Sequence, residues 1–185
     1  MRRSAFGICR DGATAVEFAL VAPLFIYMMV AILEFALIFA AQLLLDHATH
    51  QAARTGRTGF VSSGATQDAT VKQVLYDLVG PLLSTNDLVI TSKSYSGFDT
   101  IGKEEPYVDA NGNGKRDDGE NYTDVNGNGQ WDADQGTSGL GSSNEVVVYT
   151  VSYNWTVVTP LIGNLVGNSG VVTISSTAII QNEPD

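Results

Sequence analysis

From Phe18 to Leu45 this chain carries a single charged residue, Glu34, in a run otherwise made almost entirely of aliphatic and aromatic side chains. About 20 apolar residues in helical conformation cross the hydrocarbon core of a bilayer, so the run is long enough for one membrane span. As the core helix of a soluble protein it would need other protein to cover about 30 Å of helix that is hydrophobic on every side. The rest of the chain is too polar and too small for that. Pro23 lies one turn into the run, where a helix tolerates proline better than in its middle. Arg2, Arg3 and Arg10 precede the span, and basic flanks stay on the cytoplasmic side, which sends everything beyond Leu45 outward. Glu34 is costly in lipid and is expected to face another helix or a polar assembly component.

A short basic leader ends at Gly12, and Glu17 follows at the edge of the apolar run. A secretory signal is cut after its apolar region, whereas the candidate bond Gly12–Ala13 lies before it, so cleavage there leaves the span in place. The stretch GATAVEFALVAPL, starting at Gly12, resembles the N-terminus of type IV prepilins. In those chains the glycine is the last leader residue and the glutamate becomes the fifth residue of the mature protein. Cys9 is the only cysteine and lies in the leader, so an internal disulfide is excluded.

The 185 residues include 20 acidic and 10 basic ones, and the imbalance is local. Glu104, Glu105, Asp109, Asp117, Asp118, Glu120, Asp124, Asp132 and Asp134 fall within one short segment, opposed only by Lys115 and Arg116. Such a concentration argues against a nucleic-acid partner. Inside it, EPYVDANGNGKRDDG and ENYTDVNGNGQWDAD repeat one another, and each copy fits the calcium-loop pattern of an EF-hand. The first copy offers Asp109, Asn111, Asn113, the Lys115 carbonyl, Asp117 and a bidentate Glu120, with Gly114 allowing the sharp turn. The second offers Asp124, Asn126, Asn128, the Gln130 carbonyl and Asp132, but its twelfth position is Gln135, with Asp134 one residue early. That site is expected to be weaker, or completed by another carboxylate.

Only Asn121, Tyr122 and Thr123 separate the two copies, which leaves no room for EF-hand helices. The segment resembles the helix-less tandem loops of dockerin-like and thrombospondin-type-3-like repeats. Calcium is therefore the expected cofactor, acting as a folding ligand for carboxylates that would otherwise repel. Asparagine at the third and fifth positions lowers the ligand charge, which suggests dissociation constants on the order of 10⁻⁵ to 10⁻³ M, suited to an extracytoplasmic compartment. The competing reading is a solvated acidic loop that holds no ion. His47 and His50 share a helix face but lack a third ligand, so they read as surface residues.

The chain divides into a leader (1–12), a transmembrane helix with a juxtamembrane extension (13–59) and an exported domain (60–185) with the calcium-loop insertion (104–135). The exported part reads as α+β. Val71, Val74, Leu75, Leu78, Val79 and Leu82 give Asp68–Leu83 the spacing of an amphipathic helix. Asp87–Ser94, Glu145–Val157 and Gly170–Gln181 have the β-branched and aromatic texture of strands, and TPLIGNLVGNSG between the last two reads as a short helix. A three-stranded antiparallel sheet covered by the amphipathic helix is the expected architecture.

RDGATAVEFALVAPLFIYMM, followed by AILEFALIFAAQLLLDHATHQAARTGR, resembles the N-terminal region of TadE-like proteins, the pseudopilins or minor pilins of the tight-adherence (Flp, type IVb) pilus. VVTISSTAIIQNEP is loosely similar to the end of such domains. The resemblance implies cleavage between Gly12 and Ala13 by a prepilin peptidase, and pairing of Glu17 with a neighbouring subunit's N-terminal amine during assembly. It further implies other pilins and the assembly platform as partners, and a single-pass inner-membrane protein with a periplasmic or extracellular domain. The calcium-loop insertion has no counterpart in the family's simplest members. A membrane-anchored, calcium-dependent adhesin or binding module is the alternative. No nucleophile, base and orienting group occur in a recognisable catalytic pattern, so enzymatic activity is not expected.

Overall fold

The computed structural model describes residues 10–166 and 168–184. Helix α1 runs from Arg10 to Arg57 and passes through Pro23 without a break. Its most apolar stretch has a mean hydropathy of 2.4 and is only 17 % buried, which separates it from a covered core helix and makes it a candidate membrane span. Large apolar side chains stand exposed along it, from Val16, Phe18 and Leu20 to Leu37 and Phe39.

Contacts divide the chain into two compact units, Met1–Ala40 with Trp155–Val172, and Ala41–Asn154 with Thr173–Asp185. Ala41, Leu45, Ala48, Thr49, Ala52 and Ala53 of α1 are buried at helical spacing and belong to the core of the second unit. At Gly56, Tyr149 and Val71 both lie within contact distance of where a side chain would begin.

Helix α2 (Gln67–Val79) starts where the Thr66 side chain accepts a hydrogen bond from the Ala69 N–H, and it buries Thr70, Val71, Leu75 and Val79. It ends ahead of Gly80–Pro81, before the expected Leu83, which leaves Leu82 exposed and turns Leu83 into the core. The sheet has four strands, in the order β2-β1-β3-β4, rather than the expected three. They are β1 (Leu88–Tyr95), β2 (Thr137–Ser138), β3 (Val146–Thr156) and β4 (Val171–Gln181). β1 runs antiparallel to β3, from Leu88 opposite Tyr153 to Tyr95 opposite Val146, and antiparallel to β2 at Lys93 and Ser94. Val146, Val147, Tyr149, Val151, Ile174 and Ala178 supply the sheet's share of the core.

In the first unit, helix α3 (Pro160–Val166) interrupts the passage from β3 to β4. Glu34 accepts hydrogen bonds from the backbone N–H groups of Val158 and Thr159, immediately ahead of α3, and is 7 % exposed. The carboxylate expected to face another helix or a polar assembly component is held instead by two backbone N–H groups of its own chain, just ahead of α3.

Candidate functional site

The acidic insertion is a folded, internally symmetric object within the second unit. Val108 N–H donates to the Asn121 carbonyl and Thr123 N–H to the Pro106 carbonyl, each at 2.8 Å, so that Tyr107 pairs with Tyr122 as a short antiparallel bridge between the two repeats. The side chains repeat the symmetry. Trp131 meets Tyr107 edge-on with ring centroids 6.0 Å apart, and Arg116, its counterpart in the first copy, lies 5.1 Å from the ring centre of Tyr122. The same guanidinium stands 5.7 Å from the Trp131 ring, so aromatic and cation–π contacts form the shared centre of the pair.

Within the first loop, Asp109 accepts from the N–H groups of Gly112, Asn113 and Gly114. These bonds, that of Gly114 foremost, hold its carboxyl below the ordinary range. Asn111 and Asn113 both direct their carboxamides at one oxygen of Asp117, each at 2.7 Å. The second loop repeats this with Asp124 on Gly127, Asn128 and Gly129, and with Asn126 and Asn128 on Asp132. Gly114 (φ 74°) and Gly129 (φ 78°) take the left-handed turn that the sixth loop position demands. The backbone N–H groups of Lys115 and Gln130 donate to Asn113 and Asn128. Among the described residues no three carboxylate, imidazole or thiol groups converge, because each loop gathers two carboxamides round one carboxylate.

The two glutamates of the repeat have matching places. Glu120 accepts from the N–H of Ala110 at 2.9 Å and from that of Asp117 at 2.9 Å, spanning the first loop. Glu105 accepts from Val125 at 2.7 Å and from Asp132 at 3.1 Å, the equivalent positions of the second loop. Glu105 is completely buried. The carboxylate that spans the second loop thus comes from ahead of the first. It is the other carboxylate that the second loop was expected to need, but the loop pattern points downstream, to Gln135 and Asp134, and carries no signal for a residue upstream of both loops. Gln135 instead donates from its backbone N–H to the Lys103 carbonyl. Asp134 accepts from Lys93 Nζ at 2.6 Å and from Tyr95 Oη at 2.9 Å, which ties the base of the insertion to β1. Burial pushes the Asp134 carboxyl up, but the Lys93 and Tyr95 hydrogen bonds outweigh it and leave the group below its ordinary range.

The donor set suits a hard cation: carboxylate, carboxamide and carbonyl oxygens with neither sulfur nor imidazole. In each loop the third, fifth and ninth side chains face one another, two carboxamides meeting one carboxylate.

The N-terminal segment is the second candidate site. The helix already includes Arg10, so the Gly12–Ala13 bond lies in its first turn, while leader residues 1–9 are outside the described residues. Glu17 is exposed one turn further on, beside exposed Val16 and Phe18. Residues 12–54 match the family model of TadE-like protein. The TadE-like match covers less than half of the chain. It begins at the glycine of the candidate cleavage bond and ends within the last turn of α1, short of α2, the sheet and the insertion. Its extent takes in both the exposed apolar part of α1 and the part whose alanines are buried in the second unit. No curated protein and no solved structure gave a match. His47 and His50 are both exposed on α1.

Proposed function

We propose that this chain is a pseudopilin or minor pilin that takes part in assembling a tight-adherence, type IVb pilus, and that two calcium ions stabilise its exported domain. The observation that carries the first half is the TadE-like match from Gly12, laid on one continuous helix with an exposed apolar stretch, a small-residue bond at its start and Glu17 just after it. Cleavage after Gly12 would leave Ala13 with a free amine at the head of α1. An exposed carboxylate one turn on is suited to a neighbouring subunit's amine, and the N-terminal end of a helix favours it.

The calcium half rests on the insertion. Asp109, Asn111, Asn113, the Lys115 carbonyl, Asp117 and Glu120 would hold one ion. Asp124, Asn126, Asn128, the Gln130 carbonyl, Asp132 and Glu105 would hold the other, with Asp134 serving as a strut to Lys93 rather than as a ligand. Bound calcium supplies charge that compensates the clustered carboxylates and fixes both loops. The carboxamides of Asn111, Asn113, Asn126 and Asn128 would offer their oxygens to the ions, while Arg116 and Trp131 keep the two loops together.

The test of the assembly role is a pilus-bearing strain in which the chain is deleted and restored. Glu17→Ala should return a membrane-inserted protein that fails to restore filaments or to co-purify with other pilin subunits. Full piliation in the deletion strain would overturn the proposal.

A further inference from the structure

The first unit holds a second apolar surface besides α1 itself. Its corner, Trp155–Val166, projects Val158 with 84 % of its surface exposed and Val166 with 39 %, around a small buried centre formed by Val157 and Ile162. No charged residue occurs between Glu145 and Glu183, so nothing in this corner opposes contact with hydrocarbon. What fixes its depth is Glu34, whose carboxylate accepts from the Val158 and Thr159 N–H groups. Phe35, Leu37 and Phe39, within the next five residues of α1, remain exposed. With Leu43, also exposed, they carry the exposed apolar surface of α1 about 14 Å past Glu34, at about 1.5 Å per residue. The corner is therefore attached at a level where α1 still presents apolar side chains outward, and its exposed valines continue that surface.

We propose that Trp155–Val166 is a second membrane-contact element, lying in the interfacial region of the bilayer beside α1, with Val158 and Val166 directed into the acyl-chain boundary. Trp155, half-buried at the start of the corner, is of the residue type that favours the same depth. Glu34 then has a specific use. Spent on the two leading N–H groups of the corner, it removes both a lipid-facing charge and two unsatisfied donors at the depth where each is costly. Lipid is the occupant favoured by continuity with the span, and the proposal rests on the membrane reading of α1.

The experiment uses the full chain, with Cys9→Ser, reconstituted in phosphatidylcholine vesicles. Single cysteines replace Leu24, Asp118, Val158 or Val166 and carry an environment-sensitive fluorophore. Labels at 158 and 166 should emit to the blue of that at 118 and be quenched by bromines near the headgroup end of the acyl chains, bromines near the chain ends should quench the label at 24, and the label at 118 should respond to neither. Labels at 158 and 166 that both behave like the one at 118, while that at 24 is quenched, would overturn the proposal and leave the span intact. An unquenched label at 24 would overturn the span and the proposal together. Two corner positions are used so that a probe disturbing the bond between Val158 and Glu34 does not decide the result.

Discussion

At Gly56 of α1, side chains from α2 (Val71) and β3 (Tyr149) occupy the space a Cβ would need. A side chain begun there would place its Cβ 2.1 Å from the Tyr149 hydroxyl oxygen and 3.0 Å from the adjoining ring carbon. That hydroxyl is buried and has no hydrogen-bond partner among the described residues. Burial, and after it the nearby Asp68, push its pKa up to about 12. Tyr149→Phe should therefore be neutral or raise stability by up to about 1 kcal/mol, since it removes an unsatisfied buried group. Gly56→Ala should cost about 1–3 kcal/mol by overpacking, and less in the Tyr149→Phe background, because the two share one contact. Equal costs in both backgrounds, read by thermal melts in detergent, would refute the contact. The pH dependence has a definite sign. A tyrosine whose folded pKa is raised contributes stability present below about pH 10, the unfolded value, and lost as the pH climbs toward 12. Tyr95, raised to about 12 by burial and by Asp134, acts the same way. Alkaline loss of stability between those values should be shallower in Tyr149→Phe than in the parent chain.

At the scale of elements, the insertion is two copies of one loop closed by two equivalent glutamates, and the order of closure is its testable property. If Glu105 completes the second loop, isothermal calorimetry on the full chain in micelles should count two calcium ions for the parent and one for Glu105→Ala, even though residue 105 precedes both loops. Glu120→Ala should lose the other ion, and Asp134→Asn should keep both. A reduction of at least tenfold in one association constant, or about 1.4 kcal/mol, is the expected size. One ion lost from Asp134→Asn and none from Glu105→Ala would reverse the assignment. Much of this architecture was legible in the chain. The spacing of Val71, Leu75 and Val79 announced α2, the β-branched runs announced β1, β3 and β4, and the repeat announced the paired loops. What stayed hidden was set by distant pairing. Thr137–Ser138 is too short to show a period and becomes a strand only because β1 offers its edge. Glu105 acts on groups 20 residues and more away. Glu34 calls in sequence for a helix or assembly component as its partner, and only the fold brings the Val158 and Thr159 N–H groups to it.

At the scale of the whole molecule, one helix serves two environments. Its first part exposes apolar side chains from Val16 onward, while Ala41, Leu45, Ala48 and Ala52 are buried among protein. From Ala13 to Leu33 the helix covers about 30 Å at 1.5 Å per residue, the thickness of a bilayer core, before it reaches the first charge with a protein partner. Removing the leader after Gly12 therefore leaves the whole apolar run in place. The mature protein should begin at Ala13, remain in the membrane fraction, and melt at the temperature of the uncut chain. Gly12→Val should slow or block the cut without changing insertion, because the residue lies ahead of the apolar run. The checks are N-terminal sequencing of protein extracted from membranes that contain an active prepilin peptidase, and its thermal melt beside that of the Gly12→Val chain. A terminus at Met1 under those conditions would refute processing. A mature chain released from the membrane would show instead that α1 is a cleavable signal, and would remove the anchor on which both the pilin reading and the lipid contact of Val158 depend.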